Sequence, residues 1–493
     1  MTTTRKIEGL LRAAVLLLVC VPAARASGEV PTPDVIGPVT SPGSAFVTPP
    51  IAFDLAPQGY VEEEFFVSGT ATAFTSPTPL TSDGRWTAVP GATADYVTRI
   101  LVRRPASRKH FNGAVVVEWL NVSGGLDASP DWTYAHTLVM RHGFAWVGVS
   151  AQFQGVAGTG GPLGLNLSLK AANPVRYAPL VHPGDSFSYD MFSQVAQALT
   201  QPTDVSPLGD LRPRRLIAMG ESQSAFRLTT YVNAIQPIAQ VYDGFLIPSR
   251  GGGSAALSQS PQPAIGTPLP VFIREDVGVP VLTLQSETDV VQLGSLAARQ
   301  RDTQHVRLWE VAGTAHADSY QLGIGPADPG PGAADLTHLP PQTSVFGVIN
   351  CNSAINQGPH QYLVNAALWR LDRWVRRGRA RGRSAPLLQV TSGPTPTIAR
   401  DALGNALGGI RTPPVDVPVS ALSGLGQTGS SFCGLFGTTV AFDDATLASL
   451  YPSHDDYVQK VRHAASAAVR AGYLRKIDAK VMVEAAMASD VGG

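Results

Sequence analysis

One serine stands where an apolar run meets a helical pattern, and its neighbours on both sides are small. The run at 214–219 stops at Gly220, and a helical pattern begins at Gln223, directly after Ser222. A strand-to-helix turn as tight as a nucleophile elbow needs small flanking residues, here Gly220 and Ser224, and it lifts the serine hydroxyl above the sheet edge. The pattern favours Ser222 as a nucleophile, and the alternative is a serine that caps an ordinary helix.

A carboxylate and a histidine follow this serine, each behind a predicted strand. The strand at 279–285 leads into a segment with Glu287 and Asp289; Asp289 is preferred as the acid, and Glu287 is the alternative. The strand at 306–311 leads into a loop of small residues that carries His316, the predicted general base. Acyl transfer by serine uses a histidine to take the serine proton and a carboxylate to orient that histidine. The chain order serine, acid, histidine is one of the known arrangements.

His360 is the alternative base, because it opens a helical segment that runs through Trp374. It could instead line the substrate pocket or bond a backbone carbonyl at the start of the helix. Other histidines, such as His136, His142 and His182, do not follow a predicted strand, and no pair has the spacing of a zinc site. We therefore expect no catalytic metal and no cofactor.

Two backbone N–H groups are needed to stabilise the oxyanion of a tetrahedral intermediate. Gln223, the residue after the serine, supplies the first. The loop at 121–125 follows another predicted strand and contains glycines that let the backbone approach a ligand closely, so we expect the second donor to be Asn121 or Val122. The side chains of Asn121 and Ser123 could also reach the oxyanion, or they could cap the turn itself.

These residues must be positioned by strands, and the alternation of strand and helix patterns predicts a doubly wound, mostly parallel α/β sheet. The predicted strands are at 114–119, 144–150, 214–219, 241–247, 279–285 and 306–311, preceded by strand patterns at 61–74 and 95–104, with helices near 131–142, 188–200 and 223–235. In such sheets, ligands bind at the carboxyl ends of the strands. Asn121, Ser222, Asp289 and His316 are all expected there.

The amino terminus has the pattern of a bacterial Sec-type signal peptide at 1–26. Three basic residues precede an apolar run at 13–21, and Ala-Arg-Ala at 24–26 fits a cleavage site. The run is too short to cross a bilayer. We expect a secreted or periplasmic protein with no integral membrane segment after cleavage.

Composition shifts divide the rest of the chain. A proline-rich lead-in at 27–60 precedes a predicted catalytic core at 61–385. A segment rich in proline and glycine at 319–357 is predicted to form an inserted lid over the pocket. Residues 386–493 are predicted to form a C-terminal extension that packs on the core.

Two cysteines, Cys351 and Cys433, are left once the signal peptide is removed. An even pair in an oxidising compartment predicts a disulfide, which would link the segment after His316 to the C-terminal region. The alternative is two buried free thiols.

Composition argues against nucleic acid as a partner. The 493 residues carry 37 basic and 37 acidic side chains, so no overall field attracts a polyanion. Seven arginines at 370–383 follow the helical segment that His360 opens, and they favour a solvated helix C-terminus over an RNA-binding patch. The sequence does not determine the oligomeric state.

Longer strings in the chain resemble a bacterial family of alpha/beta hydrolase domain proteins whose substrate is unassigned. The strings are EWLNVSGG at 118–125, HPGDSFSYD at 182–190, GESQSA at 220–225, WEVAGTAHAD at 309–318 and GNALGGIR at 404–411. The resemblance covers nearly all of the mature chain. It implies the alpha/beta-hydrolase fold and a serine-hydrolase triad of Ser222, Asp289 and His316, with Ser224 usual at a position where other elbows have glycine.

The sequence therefore predicts an exported serine hydrolase that acts on a small-molecule carboxylic ester through an acyl-enzyme. An amidase or peptidase of the same fold is the nearer alternative. An acyltransferase would need a pocket that excludes water, and a non-catalytic binding module is the alternative from a different class.

Overall fold

The computed structural model describes residues 30–40, 42–161, 164, 166–330, 340–345, 347–380, 382 and 384–493. The predicted signal peptide lies outside these residues, as do the parts of the predicted lid at 331–339 and 346. Among the residues described, no helix combines the length and the hydrophobicity that crossing a membrane requires.

A sheet built from nine of the described strands forms the centre of the molecule. They are β1 (Asp34–Ile36), β2 (Tyr60–Thr75), β3 (Val89–Pro105), β4 (Ala114–Trp119), β5 (Ala145–Val149), β6 (Arg215–Met219), β7 (Gly244–Pro248), β8 (Val281–Gln285) and β9 (Val306–Glu310). Their order across the sheet is β1-β2-β3-β5-β4-β6-β7-β8-β9. Strands β4 to β9 are parallel to their neighbours within that group, whereas β1, β2 and β3 pair antiparallel. This confirms the predicted mostly parallel, doubly wound sheet.

The described helices cover both faces of the sheet; those up to residue 291 connect its parallel strands, and the others follow β9. They are α1 (Pro130–His142), α2 (Phe153–Ala157), α3 (Leu169–Ala172), α4 (Ser188–Thr200), α5 (Gln223–Thr230), α6 (Gln236–Ala239), α7 (Glu287–Val291), α8 (His360–Arg377), α9 (Pro413–Asp416), α10 (Asp444–Leu450), α11 (His454–Ala471) and α12 (Lys476–Ala488). A π-helical stretch, Tyr231–Ile235, joins α5 to α6. The predicted helix near 223–235 is therefore one continuous helical segment with an irregular middle.

Side chains of each parallel strand alternate between two hydrophobic cores. In β4, Val115 and Val117 pack in the core that α4 and α5 cover, and Ala114 and Val116 pack in the core that α1 and α8 cover. Helices α11 and α12 add to the second core through residues such as Ala465 and Met482. The sheet is buried on both faces, which explains why its strands are continuous apolar runs in the sequence.

Two small hairpins lie outside the main sheet. Strand β10 (Ser344–Val345) pairs with β11 (Ile349–Asn350), and β12 (Ser420–Ser423) pairs with β13 (Thr438–Ala441). A disulfide links Cys351, directly after β11, to Cys433, with their Cα atoms 5.6 Å apart. The predicted pairing of the two cysteines is present, and it connects segments 82 residues apart in sequence.

Candidate active site

Ser222 lies in the turn between β6 and α5, with a backbone conformation that few L-residues adopt. Its φ is 61° and its ψ is −119°, a strained region that persists only where the surroundings hold it. A Cβ atom at Gly220 would lie 3.0 Å from Leu228 and 3.1 Å from the Cβ of Ser224, because the helix packs closely against the turn. Ser224 itself is helical and buried. Serine in place of glycine at 224 is tolerated because the positive φ falls on Ser222.

A chain of two hydrogen bonds connects Ser222, His316 and Asp289. The Oγ atom of Ser222 lies 2.8 Å from Nε2 of His316, and Nδ1 of His316 lies 2.6 Å from Oδ1 of Asp289. Each of the three residues follows the carboxyl end of a parallel strand: Ser222 follows β6, Asp289 follows β8 and His316 follows β9. The structure thus brings together the three residues that the sequence singled out, from positions up to 94 residues apart.

Asp289 is fixed in place by a capping box at the start of α7. Its second oxygen, Oδ2, accepts hydrogen bonds from the backbone N–H of Ser286 at 2.7 Å and from the Ser286 hydroxyl at 2.8 Å. The hydroxyl of Ser286 in turn accepts from the N–H of Asp289. These bonds leave Oδ1 aimed at His316, so the carboxylate can orient the imidazole.

Glu287, the alternative acid, does not contact His316. Its buried carboxylate accepts hydrogen bonds from the N–H of Gly313 at 2.7 Å and the N–H of Gly424 at 3.1 Å, and it pairs with Arg400 at 2.8 Å. These contacts tie the loop after β9 to the C-terminal region. Glu287 therefore supports the loop that carries His316 but does not touch the imidazole.

His360, the alternative base, is buried at the start of α8 and lies apart from Ser222. Its Nδ1 atom is 3.1 Å from the carbonyl oxygen of Ala315, and its ring stacks on Tyr134 with the centroids 4.7 Å apart. Burial holds the pKa of His360 at about 4, so the ring is neutral at physiological pH. His360 contacts a backbone carbonyl in the loop that carries His316. This contact is one of the alternative roles that the sequence suggested for His360.

The two candidates for the second oxyanion donor differ in whether their N–H is occupied. The N–H of Asn121 donates to the carbonyl of Ala128 at 2.9 Å, and the Asn121 side chain donates to the carbonyl of Glu221 at 3.0 Å. The N–H of Val122 donates to no acceptor among the described residues. Val122 is therefore the available donor, and Asn121 holds this loop against the turn that carries Ser222.

Four buried carboxyl groups surround this turn and were not among the predicted site residues: Glu118, Asp131, Glu221 and Asp318. Burial raises the pKa of Glu118 and of Glu221 to about 8, and that of Asp318 to about 7. No three of the described His, Cys, Asp and Glu side chains are placed to share a metal ion. Glu221 and Asp318 adjoin predicted catalytic residues in sequence, but nothing in the pattern marks them as buried.

The charge on His316 is set by opposing effects. Burial lowers the pKa of His316, but the negative charge of Asp289 and its hydrogen bond raise it more strongly, so the pKa lies above its usual value. Glu221, when ionised, adds to this increase. Gln321 holds the Glu221 carboxylate in place, with its amide nitrogen 2.8 and 3.0 Å from the two oxygens.

A cavity of about 310 Å³ opens onto Ser222 and His316. Its apolar lining includes Phe226 from α5, Leu293 after α7 and Leu435 from the C-terminal region. Leu435 directly follows the disulfide-bonded segment of Cys433, so the last third of the chain contributes to this cavity. None of the described residues at 319–357 is among those that line it.

The chain is similar to several solved structures of esterases, at low identity. Methylesterase BT1017 is 12% identical, with a TM-score of 0.27 over 48% of this chain and 44% of that chain. Esterase Est22 is 14% identical, with a TM-score of 0.27 over 51% of this chain and 72% of that chain. The glucuronoyl esterase from Solibacter usitatus is 10% identical, with a TM-score of 0.26 over 51% of this chain and 77% of that chain.

These structural similarities carry no argument about activity, because their TM-scores are below 0.5, and the match spans less than half of the methylesterase chain. No curated protein matches the sequence significantly. The family described as alpha/beta hydrolase domain matches residues 29–484, which is nearly the whole chain. This match agrees with the strand order and with the turn at Ser222, and the chain therefore belongs to the alpha/beta hydrolase domain family.

Proposed function

We propose that this protein is an exported serine hydrolase that cleaves carboxylic esters of small molecules through an acyl-enzyme on Ser222. The observation that carries the proposal is the hydrogen-bonded chain from Ser222 through His316 to Asp289, with distances of 2.8 and 2.6 Å. It faces a cavity of about 310 Å³ at the carboxyl edge of the sheet. In this arrangement a neutral imidazole accepts the serine proton as the hydroxyl attacks a carbonyl carbon.

In the acylation step, Ser222 Oγ forms a bond to the ester carbonyl carbon and its proton passes to Nε2 of His316. Asp289 holds the other ring nitrogen and stabilises the imidazolium that results. The tetrahedral intermediate then releases the alcohol, which takes the proton from His316. The acyl group remains on Ser222.

The oxyanion of this intermediate is assigned to the backbone N–H groups of Gln223 and Val122. Gln223 is the first residue of α5, where N–H groups have no partner within the helix and the helix dipole favours negative charge. The N–H of Val122 donates to no acceptor in the part of the chain that the structure describes. Removing one such donor from an acyl-transfer site slows the reaction about 10²- to 10³-fold.

In the deacylation step, water enters the cavity and His316 takes one of its protons. The hydroxide formed attacks the acyl carbon, and collapse of the second intermediate returns the proton to Ser222 and releases a carboxylic acid. The cavity is open to solvent at Ser222, which favours water over a second alcohol as acceptor. We therefore prefer hydrolysis over acyl transfer to another substrate.

A small ester fits the site better than a peptide. A volume of about 310 Å³ is near the lower end for small-molecule sites, which range over roughly 300–1,000 Å³. A peptide substrate needs a groove for the residues on both sides of the scissile bond, since each extended residue adds about 3.3 Å. An amidase or peptidase of the same fold is the alternative.

Export is proposed on two features. The residues at 1–26 have the composition of a signal peptide, and the disulfide between Cys351 and Cys433 is of a kind that forms in oxidising compartments. Within the exported chain we propose a lead-in at 27–60, a catalytic core at 61–385 with a lid at 319–357, and a packed extension at 386–493.

The test is labelling of the mature protein with a fluorophosphonate, followed by mass spectrometry to locate the modified serine. We expect labelling at Ser222, its loss in Ser222→Ala, and a large decrease in His316→Ala. Ser224→Ala is the matched control, because Ser224 is buried and its hydroxyl has no hydrogen-bond partner among the described residues. His360→Ala tests the alternative base.

The outcomes separate the candidate functions. Labelling that is lost in His360→Ala and kept in His316→Ala would move the base to His360. A panel of p-nitrophenyl esters and anilides then distinguishes an esterase from an amidase. If the folded wild-type protein is labelled at no serine and hydrolyses neither series, it is a binding module and the proposal is wrong.

A further inference from the structure

A second, larger cavity of about 640 Å³ lies away from the candidate active site. It is bounded by the carboxyl-terminal part of α8, the end of α1 and the turn between α11 and α12, over Leu282 of β8 and Trp309 of β9. Helix α8 begins beside the loop of His316 and has 18 residues, so it is roughly 27 Å long at 1.5 Å per residue. The cavity at its far end is therefore a separate site, which we call the basic cleft.

The basic cleft is lined by positive charge. Nine of its lining residues are arginine or lysine, and eight of these nine are arginine. No aspartate or glutamate is among the described residues that line it. The whole chain has 37 basic and 37 acidic residues, so this cleft concentrates about a quarter of the positive charges of a neutral protein. Of the seven arginines at 370–383, Arg381 and Arg383 lie outside the described residues.

Two carboxylates among the described residues pair with arginines of the cleft. Asp478 pairs with Arg141 at 3.3 Å, and Asp302 approaches Arg307 at 3.4 Å. Arg475 instead lies over the ring of Trp369, 4.0 Å from its centroid. A cation held by an aromatic face keeps its full charge. Low-dielectric walls around several such charges focus the positive potential in the cleft.

Three buried donor atoms in the cleft have no acceptor among the described residues. The Nε1 atom of Trp369 and the Nε atoms of Arg141 and Arg475 are shielded from solvent and donate to no described residue. Buried donors are normally paired, because leaving one unpaired costs free energy. The neighbouring His142 adds no charge at neutral pH: burial, and then the charges of Arg475 and Arg141, lower its pKa to about 4. The cleft is thus rich in donors, whereas the acceptors among its described lining residues include only neutral groups, such as Nε2 of His142, 3.4 Å from Arg475, and the carbonyl oxygen of Ala471, 3.2 Å from Arg370.

We propose that the basic cleft binds a ligand with two or more phosphate groups, either free in solution or carried on a lipid headgroup. Arginine forks bind phosphate oxygens bidentately, which suits the predominance of arginine over lysine. The cations come from four separate parts of the chain, so one anionic group cannot reach all of them. The volume accommodates a ligand the size of a small cofactor.

The first test is calorimetric titration of the mature protein with tripolyphosphate at low and at physiological ionic strength. The test variant is Arg379→Glu with Arg470→Glu, because both side chains line the cleft and are exposed, so that the fold should be retained. The matched control is Arg108→Glu with Arg212→Glu, two exposed arginines outside the cleft that give the same change in net charge. Circular dichroism and fluorophosphonate labelling check the fold of both.

We expect saturable binding at one site that weakens about tenfold or more in the cleft variant and changes little in the control variant. Sedimentation with phosphatidylcholine vesicles that do or do not contain diacylglycerol pyrophosphate, a lipid with two phosphate groups, identifies the source of the phosphate. Binding to the diacylglycerol pyrophosphate vesicles alone would assign the cleft to a lipid headgroup, and binding to tripolyphosphate alone to a free anion. No saturable binding to either probe, or equal weakening in both variants, would overturn the proposal.

Discussion

Two carboxylates that are only two residues apart, Glu287 and Asp289, have different surroundings in the first turn of α7. Asp289 accepts from Ser286 and faces His316, whereas Glu287 points into a buried network with Arg400. The sequence alone does not show which of the two carboxylates orients His316, because both follow the same strand and both carry the same charge. Their direction is set by the helical geometry of a short segment whose sequence pattern also fits a loop.

The first prediction separates these two roles. Asp289→Asn removes the acceptor that fixes the tautomer of His316, so kcat/KM for an ester should fall about 10³- to 10⁴-fold with little change in stability. Glu287→Gln should lower the free energy of unfolding by about 3 kcal/mol, near the low end for a broken buried pair because Arg400 is partly exposed. Ester kinetics and urea unfolding measure the two effects. The reverse pattern would reassign the acid to Glu287.

The second prediction concerns the pH profile. His316 must be neutral to accept the Ser222 proton, and its pKa is raised above the usual value by Asp289 and by Glu221. Activity should therefore be lost as pH falls through a midpoint above about 6.5. Glu221→Gln removes one of the charges that favour protonated His316, so the acid limb of kcat/KM should move to lower pH.

The matched control for this shift is Asp318→Asn. Asp318 is buried near Glu221, but its charge is not among those that act on the pKa of His316. Its acid limb should coincide with that of the wild type. An unchanged limb in Glu221→Gln would show instead that Glu221 is protonated where His316 titrates, which its raised pKa of about 8 would permit.

At the scale of elements, the junction of β6 and α5 depends on a close contact between Gly220 and the helix. A Cβ at Gly220 would lie 3.1 Å from the Cβ of Ser224 and 3.0 Å from Leu228. Gly220→Ala should lower the free energy of unfolding by about 1–3 kcal/mol through overpacking, and it should slow labelling of Ser222. Adding Ser224→Gly should recover part of the loss, although Ser224→Gly alone costs up to about 1 kcal/mol.

A double-mutant cycle with urea unfolding measures this coupling. Additive effects of Gly220→Ala and Ser224→Gly would show that the clash is absorbed by Leu228 or by movement of the whole helix. A favourable coupling would explain why glycine and a small residue occur together at these two positions.

The loop after β4 gives a prediction that separates two interpretations of Asn121. If the Asn121 side chain only holds the loop through its bond to the Glu221 carbonyl, Asn121→Ala should cost about 1 kcal/mol of stability and reduce kcat about tenfold. If that side chain donates to the oxyanion itself, kcat should fall about 10²- to 10³-fold. Steady-state kinetics, with Ser123→Ala as the control for a neighbouring polar side chain, distinguish the two.

Much of the secondary structure could be predicted from the sequence. Buried parallel strands are continuous apolar runs, so the limits of β4 to β9 agree with the predicted strands within a few residues. The ends of these strands located Ser222, Asp289 and His316. Helix α7 has only five residues, too few to give a helical period, and neither α7 nor α12 is among the predicted helices.

The parts that could not be predicted depend on contacts between distant segments. Leu435 reaches the cavity at Ser222 from more than 100 residues beyond His316, and no sequence periodicity predicts that contact. The burial of Glu118 and Asp318 is set by helix packing and raises their pKa values. The basic cleft likewise joins Arg141, Arg307 and the arginines of α8 only after folding.

At the scale of the whole molecule, charge is distributed unevenly although the net charge is zero. Buried carboxyl groups surround the carboxyl edge of the sheet, and the basic cleft lies at the far end of α8. Carboxyl groups at the catalytic edge would repel an anionic substrate unless they are protonated. Their raised pKa values reduce the negative charge of these groups at pH 7, so this edge repels an anionic substrate less than four ionised carboxylates would.

The last prediction concerns the disulfide, which connects the cavity to the rest of the chain. The bridge between Cys351 and Cys433 closes a loop of 82 residues, for which the loss of chain entropy in the unfolded state is worth about 4 kcal/mol. Leu435 lies two residues beyond the bridge and lines the catalytic cavity. Reduction should therefore lower the free energy of unfolding and raise KM for an ester severalfold, with a smaller effect on kcat, because the triad comes from other segments.

Urea unfolding and ester kinetics with and without dithiothreitol measure both effects. The control is the variant with Cys351→Ser and Cys433→Ser, which should be insensitive to the reductant because it has no disulfide. The reduced wild-type protein could instead stay folded with an unchanged KM. That result would show that Leu435 is held by the packing of its own segment, which includes Phe436 and Ile355. A response in KM would mean that the catalytic cavity is complete only in an oxidising compartment. The position of the disulfide would then link the proposed export of the chain to its activity.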